Sequence, residues 1–182
     1  YHGLVYHEAL GASAYTFKLI LEGLRDFGGA LSPTNAFNII QGLETLSVRI
    51  KQHSSNALAL AKWLEKQEEV TWVNYPGLES NTYKSLADKY LPKGQSGIVT
   101  FGAKGGFEAA KTIADSVKVF SLLANIGDTK SLIIHPASTT HQQLDEAQQA
   151  SAGVGQDLIR LSVGIEDIED LKSDLKEAFL KI

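Results

Sequence analysis

Apolar and polar residues follow two different periods along this chain. The positions Leu43, Leu46, Ile50, His53, Ala57, Leu60 and Leu64 recur at alternating spacings of three and four, the rhythm of one face of a helix. Ser32-Pro33 stands ahead of them. Serine is a good N-cap and proline suits the first helical position. The pattern predicts one long helix from there to about Gln67, of a length that connects two bodies. Upstream, Ala12 to Phe27 reads as a separate helix. It ends at Gly28-Gly29, because glycine takes the left-handed C-cap conformation without steric cost.

Beyond the long helix the period shortens. Val70 to Tyr75 reads as a strand halted by Pro76-Gly77. Residues 82–91 read as a short helix capped by Ser80 or Asn81, 97–103 as a strand and 106–116 as a helix. Two apolar runs, Val119 to Ile126 and Ser131 to His135, are joined by Gly127-Asp128-Thr129-Lys130, which predicts a hairpin. Thr139 and Thr140 each have Gln three residues on, the pattern of a capping box opening a helix to about Ala150. Asp157 to Gly164 is a further strand. In the last helix Ile168, Leu171, Leu175, Phe179 and Ile182 share a face. From about residue 56 the expectation is an α+β domain, a small and mainly antiparallel sheet with helices on one face. Residues 1–55 form a helical lead-in with the connecting helix, and 56–182 the small C-terminal domain.

Alternation along the last strand decides where its polar groups point. Ile159, Leu161 and Val163 share the face beneath the helices, so Arg160 and Ser162 point to the other. Arg160 is the only arginine in the C-terminal two-thirds of the chain. A guanidinium is a planar fork suited to a carboxylate. From pattern alone, an arginine on an open sheet face is also compatible with a structural Asp or Glu partner, or with plain solvation.

Composition narrows the classes. With 182 residues, 43% of them hydrophobic and 21% charged, the chain has enough apolar mass for a core. A net charge of -4 argues against nucleic acid or an anionic membrane as a partner. No apolar run approaches the roughly 20 residues that span a bilayer. Cysteine is absent, so disulfides, thiolate catalysis and Cys-ligated metals are not expected, and a reducing cytoplasm is compatible. Methionine is absent too, which leads us to expect either a processed chain or a piece of something longer. His135 and His141 have no acidic partner at ligand spacing and read as structural, with no metal site. His53, within an apolar stripe, reads as a packed histidine.

Several segments together resemble one enzyme family. They are Gly42-Leu43-Glu44-Thr45-Leu46 with Arg49, Val73-Asn74-Tyr75-Pro76-Gly77-Leu78, Ile133 to His141, and Leu158 to Glu166. In this order they are similar to the Cys/Met metabolism enzymes that use pyridoxal phosphate, and they cover nearly the whole chain. The resemblance implies the fold-type-I arrangement of a large cofactor domain, a connecting helix and a smaller C-terminal domain. It implies that Arg160 grips the α-carboxylate of an amino-acid substrate. Leu123-Ala124-Asn125-Ile126-Gly127-Asp128 resembles the O-acetylhomoserine sulfhydrylase branch, where this segment lines the substrate pocket. Asn125 is then either a substrate-binding residue or a turn residue. Thr140 caps its helix or also faces the site. The implied partners are the amino-acid substrate and sulfide, in a cytoplasmic homotetramer.

The family's Schiff-base lysine follows a Ser-x-Thr pattern, and no Ser-x-Thr-Lys occurs here. Catalytic and cofactor-binding residues are therefore expected to lie outside this segment, which alone should be inactive. Two other readings stay open at this point. One is a cystathionine γ-synthase, cystathionine γ-lyase or methionine γ-lyase of the same family. The other is a stand-alone C-terminal module without catalysis.

Overall fold

Backbone hydrogen bonding turns the last two-thirds of the chain into a five-stranded sheet. The computed structural model describes residues 2–182, which divide into two units, one running to Glu44 and the other Thr45–Ile182. The first unit holds α1 (Tyr6–Leu10), α2 (Ala14–Lys18), α3 (Arg25–Phe27) and α4 (Pro33–Glu44), with a π-helical turn at Leu19–Leu24. Ser32 caps α4, its hydroxyl accepting from the Asn35 N–H. None of the described residues of this unit is buried.

The second unit opens with α5 (Leu46–Leu64). The single long helix predicted through both stretches is interrupted at Thr45, whose backbone (φ -105°, ψ 1°) leaves the helical region. Thr45 instead starts the next helix: its carbonyl accepts from the Arg49 N–H and its hydroxyl from the Arg49 guanidinium. Along the predicted stripe, His53, Ala57, Leu60 and Leu64 are buried, while Leu43, Leu46 and Ile50 are exposed.

The remaining elements are β1 (Val70–Asn74), α6 (Lys84–Tyr90), β2 (Ile98–Ala103), α7 (Gly106–Ser116), β3 (Ser121–Leu122), β4 (Leu132–Ile134), α8 (Glu146–Ser151), β5 (Leu158–Ser162) and α9 (Ile168–Phe179). The strand order is β1-β2-β5-β4-β3. Three of the pairings are antiparallel, and β3–β4 is parallel. The predicted hairpin is therefore not formed. Ser121 lies beside Leu132, and residues 123–130 run back past the sheet end as an open strap rather than folding into a tight turn. A bulge interrupts β1 between Val70 and Trp72. The capping box also lies elsewhere than predicted. Thr139 turns its hydroxyl back to the His135 carbonyl, and α8 is opened by Asp145 with Gln148.

Alternation along β5 sorts the layers. Ile159, Leu161 and Val163 are buried with Val99, Phe101 and Ile133 beneath α5, α7 and α9. Trp63 stacks on Phe179 at 5.9 Å between ring centres, and Phe179 meets Phe101 edge-on. At about 25 cal/mol per Å2 of apolar surface, each large side chain so buried contributes about 1.5–3 kcal/mol, so this one face supplies much of the unit's stability. Arg160 and Ser162 occupy the opposite face.

Candidate functional site

The middle of β5 sets Arg160 between Thr100 of β2 and Ile134 of β4. Its side chain is half-buried. A guanidinium has five N–H donors. One of them, on Nη2, donates to the Asn125 carbonyl at 3.2 Å, and no carboxylate among the described residues pairs with Arg160. A partly desolvated arginine without an internal counter-ion keeps most of its fork free for an anion from outside.

Asn125 sits in the exposed strap. Its side-chain amide donates to Asp128 at 3.0 Å, so the side chain organises the loop and the backbone carbonyl meets Arg160. The resemblance expects both residues at one substrate carboxylate; in the structure Arg160 meets the Asn125 backbone, and the Asn125 side chain is turned to Asp128. Thr140 is exposed, and its hydroxyl pairs with the neighbouring His141 Nδ1 at 2.9 Å. No hydrogen bond links Thr140 to Arg160 or Asn125.

His135 is buried. Its Nε2 meets the Gln156 carbonyl at 2.9 Å and must carry the proton there, so Nδ1 accepts from the Ser138 hydroxyl at 2.8 Å. Burial holds its pKa below the usual histidine value. Phe107 abuts the ring edge-on. Gln156 also donates to Gln149, whose amide reaches the Ala137 and His141 carbonyls. This network fixes the irregular 135–156 stretch. His53 donates through Nδ1 to the Val163 carbonyl at 2.6 Å. Among the described residues, no group of three His, Cys, Asp or Glu side chains is placed to hold a metal.

Sequence reasoning gives no role to three residues that hold backbone or side-chain groups around the strap. Asp174, buried on α9, accepts the backbone N–H groups of Lys118, Val119 and Phe120. Glu166 accepts both the N–H and the hydroxyl of Ser131. Asn56 of α5 donates to the Gly164 and Glu166 carbonyls. Gly164 is required by close approach: a Cβ there would meet the Thr129 carbonyl and the Glu166 carboxylate, with Lys130 C at 2.6 Å.

Pyridoxal phosphate needs a lysine for its Schiff base and several convergent donors for its phosphate. The donors assembled at Arg160 are one guanidinium, bonded to one strap carbonyl, and the sequence holds no Ser-x-Thr-Lys. These residues do not fit the cofactor. They fit a single carboxylate.

The family profile of the Cys/Met metabolism PLP-dependent enzymes matches residues 2–180. The O-acetyl-L-homoserine sulfhydrylase 1 of Thermus thermophilus is 51% identical over 178 residues, covering 98% of this chain and 42% of that protein. The homocysteine synthase of Schizosaccharomyces pombe is 50% identical over 178 residues, with the same shares. A crystal structure described as an O-acetylhomoserine (thiol)-lyase of Campylobacter jejuni, holding a pyridoxyl-lysine monophosphate at its position 205, superposes with a TM-score of 0.84 at 47% identity. It covers 94% of this chain and 41% of that one. The chain thus spans about two-fifths of the length of the relatives it matches.

Proposed function

Since this chain belongs to the family of Cys/Met metabolism PLP-dependent enzymes, we propose that it is the substrate-carboxylate-binding portion of an O-acetylhomoserine sulfhydrylase. The reaction is γ-replacement: sulfide takes the place of acetate on O-acetylhomoserine, giving homocysteine. Relatives of about 50% identity with that activity in their names support the reading. The observation that carries it is the half-buried guanidinium of Arg160, which has no carboxylate partner of its own.

In this reading residues 1–55 end the large cofactor domain and include the connecting helix, and 56–182 form the small domain. The lysine and the phosphate cradle are held by other residues of a longer protein. Arg160 receives the α-carboxylate through two parallel N–H···O bonds, leaving the Asn125 carbonyl to fix the plane of its fork. Fixing that plane sets the direction of the substrate's Cα–H bond, a positioning effect in which small misplacements are costly. Asn125 and Thr140 belong to the rim of the same pocket. Sulfide as donor, a homotetrameric assembly and a cytoplasmic setting complete the proposal. Among the described residues no helix is long and apolar enough to cross a membrane.

The test is steady-state kinetics of the longer enzyme. Arg160→Lys keeps the charge and loses the fork, and Arg160→Ala loses both. A charge-assisted hydrogen bond contributes about 1.5–3 kcal/mol. The KM for O-acetylhomoserine should therefore rise by about one to two orders of magnitude for lysine, and further for alanine. An unchanged KM removes Arg160 from this role. Acetate release that requires sulfide, against 2-oxo acid formation from methionine or cystathionine, separates the sulfhydrylase from the lyases of the family.

A further inference from the structure

We propose that Glu166 is a positioning residue for the anion seat at Arg160, acting through Ser131 and the strap 123–130. The inference rests on the reading of Arg160 as the carboxylate-binding group. The fork of Arg160 is steered by one internal contact, the Asn125 carbonyl. That carbonyl lies in a strap with no regular secondary structure, exposed through most of its length. The one side-chain bond within it, Asn125 to Asp128, is local. The location of the carbonyl therefore depends on how the two ends of the strap are held.

The N-terminal end is held by Asp174 through three backbone N–H groups, and by the Ser121 N–H donating to the Ser131 carbonyl. The C-terminal end is held by Glu166. Its Oε1 accepts the Ser131 N–H at 2.6 Å, and its Oε2 accepts the Ser131 hydroxyl at 2.8 Å. The same hydroxyl accepts the Gly164 N–H at 2.7 Å, and the Ile165 N–H donates to the Thr129 carbonyl at 2.9 Å. Glu166 is itself anchored, because the Asn56 amide holds the Gly164 and Glu166 carbonyls against α5. A continuous line of hydrogen bonds thus joins α5 to the residue before β4, and the strap carries it on to the guanidinium. Both carboxylate oxygens are engaged on one residue, so the clamp fixes direction as well as distance. The Glu166 carboxylate bonds Ser131 and makes no hydrogen bond or ion pair with Arg160, so it acts through the strap.

The experiment uses the full-length holoenzyme with O-acetyl-L-homoserine and sulfide. Glu166→Ala raises KM for the amino acid by about tenfold or more, the scale at which small misplacements are felt, while kcat changes much less and the cofactor's visible absorbance is unchanged. Glu166→Gln keeps an oxygen for the Ser131 N–H and recovers most of the KM. In an Arg160→Ala background Glu166→Ala adds nothing further to KM, since the group it positions is gone. Should Glu166→Ala fail to yield soluble holoenzyme, Ser131→Ala, which removes the hydroxyl arm of the clamp, makes the same comparison. An unchanged KM in these variants overturns the inference alone, as does an equal added rise in the Arg160→Ala background. Arg160→Ala leaving KM unchanged overturns the reading beneath it.

Discussion

Replacing Asp174 by asparagine takes one acceptor away from a carboxylate that serves three backbone donors. Oδ1 accepts the Lys118 N–H at 2.7 Å, and Oδ2 accepts those of Val119 at 2.8 Å and Phe120 at 3.1 Å. An asparagine best keeps its oxygen on the side with two donors, so its amide faces the Lys118 N–H. One charge-assisted bond is lost and the other two become neutral, a cost of about 2–3 kcal/mol. Alanine removes all three. Lys118 and Val119 are exposed, and water can replace their partner, whereas Phe120 is buried. Its stranded N–H brings the expected loss to about 3–5 kcal/mol, a large share of the usual 5–15 kcal/mol of a domain. Urea unfolding followed by the fluorescence of Trp63 reads this directly, because Trp63 stacks on Phe179 of the same helix as Asp174. The midpoints should fall in the order wild type, Asp174→Asn, Asp174→Ala, with unchanged slope. Glu177→Gln serves as the control. The Lys118–Glu177 pair is close at 2.8 Å but well exposed, and such pairs contribute little, so its midpoint should stay in place. An Asp174→Asn midpoint equal to wild type would show that the carboxylate does not hold the 118–120 backbone.

Two further outcomes follow from buried groups. The His135 pKa is lowered by burial, so as pH falls below the ordinary value near 6.5 the unfolded chain takes up a proton that the folded one refuses. Stability is then fully present above that pH and declines toward the folded pKa. His135→Gln should flatten the decline in urea midpoints between neutral and mildly acidic pH, and an undiminished slope would assign it to other groups. Gly102 lies under the Trp72 indole, the Asp157 carboxylate and the Thr71 hydroxyl, all of which an added Cβ would strike. Gly102→Ala should cost about 1–3 kcal/mol by overpacking and break the 2.8 Å bond from Trp72 Nε1 to Asp157. Unaltered Trp72 emission would mean that the indole was never held there.

Local pattern carried the reading furthest where one element settles its own fate. The α7 bounds, the strand at β2 and the sorting of Ile159, Leu161 and Val163 from Arg160 all follow from period and punctuation. It failed where distant groups decide. The runs around 119–126 and 131–135 look like a hairpin because Gly-Asp lies between them. Yet Asp174 and Glu166, some 55 and 35 residues away, hold their ends so that the two strands run parallel. Thr139 and Thr140 had the spacing of a capping box, but the His135 carbonyl drew the Thr139 hydroxyl and the Asp145–Gln148 pair took the cap. Family resemblance set Arg160 and Asn125 at one substrate carboxylate, but their direct contact had no signal in the sequence. The Asn125 carbonyl meets Arg160 while its side chain is tied to Asp128, and this depends on loop geometry that no one-dimensional pattern encodes.

The two outer strands of the sheet have a consequence for self-association. β3 is two residues long, and β1 is kinked by its bulge. Short and bent rims of this sort present no straight row of free N–H and C=O groups for a foreign strand to zip onto. The sheet is thus guarded against growing sideways into fibrils.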